Sequence, residues 1–98
     1  MKRETALKLL KQRAAAIKEM GATGLYLYGS TSRDEARSDS DLDIFIEYDA
    51  NSKFNAFDLI GIKHLLEDEL QLPVDVTTRD GLHPRLRERI EQSAIQVF

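Results

Sequence analysis

The sequence contains no cysteine, which excludes disulfide bonds and thiolate metal sites from its 98 residues and suits a reducing cytoplasm. It also lacks any apolar run near the roughly 20 residues that a membrane-spanning helix needs. The N-terminal MKRETALKLLKQR has no uninterrupted apolar segment, so it does not resemble a secretory signal. We therefore expect a cytoplasmic protein that has no membrane partner.

The chain also lacks an excess of basic residues. Lys and Arg number 14 against 17 Asp and Glu, and the formal net charge is −3. Non-specific binding to DNA or RNA through a basic surface is therefore not expected. Apolar residues make up 42% and charged residues 32%, which is typical of a globular chain. The length predicts one domain, 1–98, with a modest core.

Hydrophobic periodicity predicts helices that alternate with short strands. We expect helices over 3–20, 55–70 and 84–98, one or two helical turns over 31–38, and strands over 24–29, 41–47 and 72–78. The inward candidates of the second long helix are Phe57, Ile60, Leu65, Leu66 and Leu70. The order α-β-α-β-α-β-α predicts an α/β (α+β) fold in which a short mixed β-sheet is flanked by helices.

Three acids fall inside the predicted strands. Asp41 and Asp43 are two residues apart, so they point to the same face of their strand. Neighbouring carboxylates repel each other unless a cation lies between them, and Mg²⁺ prefers one or two carboxylates together with substrate phosphates. Asp75 lies between Val74 and Val76 in another strand, and it can complete a carboxylate cluster if the two strands are neighbours.

A Gly-Ser turn precedes the first two acids. Gly29 permits a backbone bend that other residues resist, and Ser30 offers a hydroxyl and an N–H group to a phosphate. Each feature alone has a simpler interpretation, because Asp-x-Asp occurs on solvent-facing edge strands and Gly-Ser occurs in ordinary capped turns. The Gly-Ser turn, the paired acids and the third acid together favour a site for a metal and a nucleotide.

The segment GSTSRDEARSDSDLDIFIE resembles the signature of the DNA polymerase beta-type nucleotidyltransferase superfamily, and most of all its minimal nucleotidyltransferases. These are small MntA-like antitoxins that are often paired with HEPN-domain toxins. The signature is Gly-Ser, about ten residues, Asp-x-Asp, and a later Asp in a separate strand. Here it falls on Gly29, Ser30, Asp41, Asp43 and Asp75, with ten residues between Ser30 and Asp41. The resemblance extends over nearly the whole chain and therefore implies the small nucleotidyltransferase palm fold.

The resemblance also implies a mechanism. Asp41, Asp43 and Asp75 would hold two Mg²⁺ ions, and Asp75 would also help to deprotonate the acceptor hydroxyl. Gly29, Ser30 and Arg33 would bind the phosphates of ATP, with Arg37 as an alternative to Arg33. For each arginine, an ordinary surface position is the simpler interpretation. The family commonly has Arg-Gly where this chain has Arg33-Asp34. Aspartate tolerates the left-handed backbone, so we expect the loop to keep its shape and to place a carboxylate near the triphosphate.

The family further implies a partner. A palm of about 100 residues has little room for an acceptor domain, which favours a macromolecular acceptor. The resemblance suggests AMP transfer from ATP to a hydroxyl of a HEPN-family toxin, with tyrosine expected, in a hetero-oligomer. Three alternatives stay open: an antitoxin that neutralises by binding alone, a small-molecule nucleotidyltransferase that works with a second subunit, and a regulatory module that binds metal or nucleotide without transfer.

Overall fold

Helices and short strands alternate along the chain. The computed structural model describes residues 1–35 and 41–98. Its helices are α1 (Arg3–Gln12), α2 (Ala14–Glu19), α3 (Gly29–Ser32), α4 (Ala56–Leu70) and α5 (Arg87–Ser93). Its strands are β1 (Ala22–Tyr28), β2 (Leu42–Tyr48), β3 (Val74–Thr78) and β4 (Ile95–Gln96), and a 3-10 turn, Arg79–Gly81, follows β3. The predicted alternation is confirmed in outline.

The strands that the structure describes form one mixed sheet in the order β3-β2-β1-β4. β1 is antiparallel to both β2 and β4, whereas β2 and β3 are parallel. Two parallel neighbours need a long crossover connection, and α4 provides it. The predicted fold class, a short mixed sheet flanked by helices, is confirmed.

One face of the sheet carries the hydrophobic core. Leu25 and Leu27 of β1 pair with Ile46 and Ile44 of β2, and all four side chains are fully buried. Helices α1, α2 and α4 cover this face with buried residues that belong to the same cluster: Ala6, Leu10, Ile17, Ile62, Leu66 and Leu70. Burial of each large aliphatic side chain on this face contributes roughly 1.5–3 kcal/mol.

The opposite face carries aromatic and polar residues. Tyr26 pairs with Phe45 across β1 and β2, and their rings stack with centroids 4.7 Å apart. The Arg79 guanidinium lies over both rings, 4.8 Å from the Tyr26 centroid and 5.2 Å from that of Phe45. We call this surface the open face. A strand alternates its side chains between faces, so a buried β2 can still present acids on the open face.

The predicted helix 3–20 is wrong as a single element, because the chain divides at Arg13 into α1 and α2. The Arg13 N–H group donates to the Leu10 carbonyl three residues back, which tightens the last turn of α1. Its guanidinium also forms an ion pair of 2.6 Å with Glu69 on α4. Neither glycine nor proline marks the division, so the apolar periodicity continues through it.

The predicted helix 84–98 is also wrong at both ends. α5 begins at Arg87, three residues after Pro84, and it ends at Ser93; Ile95–Gln96 then form β4. β4 pairs with β1, and three further backbone hydrogen bonds join Leu25 to Val97 and Phe98. The open edge of β1 needs hydrogen-bond partners, and this need outweighs the helical pattern of the last residues.

The inward face of α4 differs from the prediction. Phe57 is 84% exposed and Ile60 is 47% exposed, whereas Ile62, Leu66 and Leu70 are buried. Nine residues separate Phe57 from Leu66, which is about two and a half helical turns, so the two point to opposite sides. Because α4 has apolar residues on more than one side, the sequence does not identify which side faces the sheet.

None of the described helices has the length and apolar character needed to cross a bilayer.

Candidate active site

The three predicted acids lie at the same end of neighbouring strands. Asp43 of β2 is the register partner of Asp75 in β3 and, on its other side, of Tyr28 in β1. Paired residues point to the same face, and adjacent strands are about 4.8 Å apart. Tyr28, Asp43 and Asp75 therefore form a row on the open face. The expectation that the strand of Asp75 adjoins that of Asp43 is confirmed.

Asp41 lies one residue before β2 and is exposed. Its charge reaches Asp43, whose pKa it raises. No group of three or more His, Asp or Glu side chains within 1–35 and 41–98 is arranged to hold a metal ion without further ligands. The fold thus brings the acids to one end of β2 and β3, where they do not form a complete metal site by themselves.

The environment of Asp43 and Tyr28 favours the neutral form of each side chain. Burial raises the pKa of Asp43, and the charges of Asp75 and then Asp41 raise it further, while Arg33 lowers it. Burial, followed by the charges of Asp43 and Asp75, raises the pKa of the Tyr28 hydroxyl to about 12. Tyr28 therefore stays protonated at neutral pH and can donate a hydrogen bond. The crowded carboxylates would be relieved by a bound cation.

Gly29 connects β1 to α3 in direct contact with Asp43. Its φ is +76°, in the left-handed region that side chains rarely adopt. A Cβ atom at this position would also collide with the Asp43 carboxylate. Glycine is thus required twice, once for the turn and once to admit the acid.

The other predicted phosphate-binding residues surround this turn. Ser30 is half-buried in the first turn of α3, and its carbonyl accepts a hydrogen bond of 2.8 Å from the Glu35 N–H group. Arg33 is exposed and pairs with Glu35 at 3.2 Å, yet its charge still acts on Asp43. α3 spans Gly29–Ser32, so the helical turn begins two residues before the predicted start at residue 31. Residues 36–38 of the predicted segment, Arg37 among them, lie outside the described residues.

Asp34 adopts the left-handed backbone that the sequence predicts, with φ +58°. Its carboxylate, however, accepts a hydrogen bond of 3.1 Å from the Arg3 N–H group at the start of α1. Lys2, the residue that precedes α1, provides no side-chain cap of its own. The negative charge at Asp34 is thus partnered by a helix N-terminus, where anions are favourable.

Replacing Asp34 should therefore affect stability more than activity. Alanine loses the hydrogen bond to α1 and strains the left-handed backbone, and we expect a loss of about 1–2 kcal/mol. Glycine loses only the hydrogen bond and asparagine retains an acceptor, so thermal unfolding should rank Asp34→Ala below Asp34→Gly and Asp34→Asn. If Asp34→Ala unfolds at the temperature of the wild type, the bond to Arg3 does not support α1.

The sequence did not point to α5 as part of this region. A cleft of about 560 Å³ opens between α3 and α5, and Tyr28, Gly29, Arg33 and Arg89 are among its lining residues. Arg89 was missed because the predicted helix 84–98 had no known neighbour. Its spacing from Leu86 and Ser93, which also line the cleft, was the available signal, because residues three or four positions apart share one helix face.

Comparison with known proteins identifies the family of this chain. The family model described as "Nucleotidyltransferase domain" matches residues 7–97. A Methanocaldococcus jannaschii protein named "Putative protein adenylyltransferase MJ0435" is 37% identical over 72 residues, which cover 74% of this chain and 75% of that protein.

Two solved structures share the fold. One, described as a "putative minimal nucleotidyltransferase", superposes with a TM-score of 0.82 at 34% identity and covers 97% of this chain and 95% of its own. The other is a tri-AMPylated Shewanella oneidensis HEPN toxin in complex with its MNT antitoxin, with a TM-score of 0.66 at 16% identity over 94% of this chain and 71% of that one. The second likeness concerns the fold alone. The family match, the sequence identity and the shared fold together make this chain a member of the nucleotidyltransferase domain family.

Proposed function

We propose that this nucleotidyltransferase is the antitoxin of a HEPN-type toxin and transfers AMP from ATP to a hydroxyl of that toxin, with tyrosine as the expected acceptor. The observation that carries the proposal is the pairing of Asp43 with Asp75 directly beside the Gly29 turn. The name of the M. jannaschii relative supports protein adenylylation. The AMPylated toxin in the Shewanella complex supports the class of partner.

The acids fit Mg²⁺ that arrives with a nucleotide. Mg²⁺ keeps several waters and binds one or two carboxylates together with substrate phosphates, so it needs no complete protein cage. Asp41, Asp43 and Asp75 would hold two such ions. Burial first, and then the neighbouring carboxylates, raise the pKa of Asp43, and a bound cation would relieve the repulsion between the carboxylates. Bound Mg²⁺ would supply charge stabilisation at the phosphates and lower the pKa of the acceptor hydroxyl.

The chain's own residues would position the substrates for one displacement step. The acceptor oxygen bonds to the α-phosphorus of ATP, the bond from that phosphorus to pyrophosphate breaks, and the hydroxyl proton passes to the Asp75 carboxylate. Asp75 is exposed, so a macromolecular hydroxyl can reach it. Ser30, Arg33 and the backbone at Gly29 would hold the phosphates in line for this displacement.

Label transfer to the partner toxin tests the proposal. The protein is incubated with α-³²P-labelled ATP, Mg²⁺ and the product of the neighbouring gene, and the same reaction is run with Asp41→Asn. Asp41 is exposed, so its replacement should leave the fold intact while labelling falls more than about 100-fold, since loss of even an outer metal partner costs about 10- to 100-fold. Asp68→Asn, an exposed acid on α4, is the matched control and should label like the wild type.

Other outcomes identify the alternatives. Toxin neutralisation by both the wild type and Asp41→Asn, with no label on the toxin, would replace the enzymatic antitoxin by one that acts through binding alone. Label on a small molecule rather than the toxin would indicate a small-molecule nucleotidyltransferase. Nucleotide binding with neither transfer nor neutralisation would indicate a regulatory module.

Several expectations stay predictions. They are the single domain 1–98, the cytoplasmic location, the hetero-oligomer with the toxin, and the absence of DNA and membrane partners. The same incubation addresses the hetero-oligomer, because size-exclusion chromatography of the mixture separates a complex from its components.

A further inference from the structure

The cleft between α3 and α5 has basic residues on both walls. Arg33 follows α3 on one side, and Arg89 belongs to α5 on the other. Arg33 pairs with Glu35, whereas Arg89 forms no ion pair within 4 Å among the described residues. The residues that line this cleft within the described ranges include these two arginines and no acid. An anionic ligand is therefore the kind that the cleft suits.

The position of the cleft relative to the acids is equally informative. Asp43 lies in the middle of the row, with Asp75 on the β3 side and with Tyr28 and Gly29 on the β1 side. The cleft opens on the β1 side, since Tyr28 and Gly29 line it. It is thus separated from Asp75 by the width of two strands.

In phosphoryl and nucleotidyl transfer, the attacking and leaving oxygens lie roughly in line through the phosphorus. An acceptor that gives its proton to Asp75 approaches from the β3 side, so the leaving group must depart toward β1. We infer that Arg89, carried by α5, is a further binding residue for the β- and γ-phosphates of ATP, which leave through this cleft as pyrophosphate. This inference rests on the proposed function and adds a binding residue to it.

Arg89 is carried by a helix that is fixed to the sheet. Arg79, stacked on the open face, forms ion pairs with Glu47 of β2 at 2.9 Å and with Glu91 of α5 at 3.8 Å. Glu91 also pairs with Arg87 at 2.9 Å within α5. Ile90, which lines the cleft beside Arg89, is half-buried. These contacts fix the position of α5 beside the cleft. The backbone of Arg89 is therefore fixed as well, and its guanidinium can reach a phosphate in the cleft.

Nucleotide binding tests the inference without an acceptor protein. Isothermal titration calorimetry measures the affinities of MgATP, inorganic pyrophosphate with Mg²⁺, and AMP for the wild type, Arg89→Gln, Arg89→Lys and Arg85→Gln. Arg89→Gln should weaken MgATP and pyrophosphate by roughly tenfold or more, the usual effect of a lost charged hydrogen bond. AMP lacks the leaving group, so its affinity should not change. Lysine should restore part of the loss.

Arg85→Gln is the matched control, because Arg85 is an exposed arginine near α5 that lies outside the lining of the cleft. An equal loss in Arg85→Gln would mean that overall charge is responsible and would overturn the inference. Unchanged MgATP binding in Arg89→Gln, or an equal loss for AMP, would also overturn it while leaving the proposed function intact. A wild type that binds neither MgATP nor pyrophosphate would overturn both.

Discussion

Replacement of Asp43 by asparagine should abolish nucleotidyl transfer and at the same time raise the thermal stability of the metal-free protein. The loss of activity should exceed about 100-fold, because Asp43 is expected to bind metal directly and even outer-shell metal partners contribute about 10- to 100-fold. The gain in stability has a separate cause. Asp43 is partly buried beside Asp75, and the folded state therefore disfavours its charge.

The pH dependence follows from the same pKa shift. The pKa of Asp43 is higher in the folded protein than in the unfolded chain, so the folded state binds more protons. Stability should therefore fall as pH rises from the ordinary aspartate pKa through the raised value, and should then level off. Asp43→Asn removes this decline. Mg²⁺ should stabilise the wild type at neutral pH and should stabilise Asp43→Asn much less.

Circular dichroism melts between pH 4 and pH 8, in EDTA and in Mg²⁺, measure both effects. Asp80→Asn is the control, because a hydrogen bond from Thr78 lowers the pKa of Asp80 and its replacement should give no gain in stability. An Asp43→Asn protein that melts below the wild type in EDTA at neutral pH would contradict the proposed cost of the Asp43 charge. Retained transfer activity would exclude Asp43 from the catalytic site.

Replacement of Gly29 by alanine should damage both the fold and the site. The left-handed backbone at φ +76° costs an alanine about 1–2 kcal/mol, and the new Cβ must displace the Asp43 carboxylate. A displacement of about 1 Å can reduce the rate roughly 100-fold when reacting groups are held in line. We therefore expect a lower melting temperature together with a large loss of transfer per folded molecule.

Gly21→Ala separates these two effects. Gly21 also has a positive φ, +111°, and a Cβ there would meet the Phe54 ring at 2.7 Å, remote from the acids. Alanine is therefore strained at both positions, but at Gly21 the contact with Asp43 is absent. Both variants should lose stability, and only Gly29→Ala should lose activity once rates are corrected for the folded fraction. Equal activity losses in the two variants would mean that strain alone is responsible.

The sequence by itself determined the fold class and indicated the acids and the Gly-Ser turn of the candidate site. The alternation of apolar and polar residues identified β2 and α4 within one residue, since those patterns depend only on the local periods of strand and helix. The Gly-Ser turn and the Asp-x-Asp pair were likewise visible, because each is a short motif. Asp75 was visible because it is an acid between two valines of a predicted strand.

Only the tertiary structure decided how these residues meet. The sequence contains no record of strand order, so the alignment of Asp43 between Tyr28 and Asp75 became apparent only from the register of β1, β2 and β3. The same is true of β4, because its partners in β1 lie about 70 residues earlier in the chain, and the hydrogen-bonding needs of that edge override the local helical pattern of the last residues. The position of Arg89 was also decided by contacts between distant elements. Arg79 forms ion pairs with Glu47 of β2 and Glu91 of α5, and these hold α5 against the open face, where Arg89 lines the cleft.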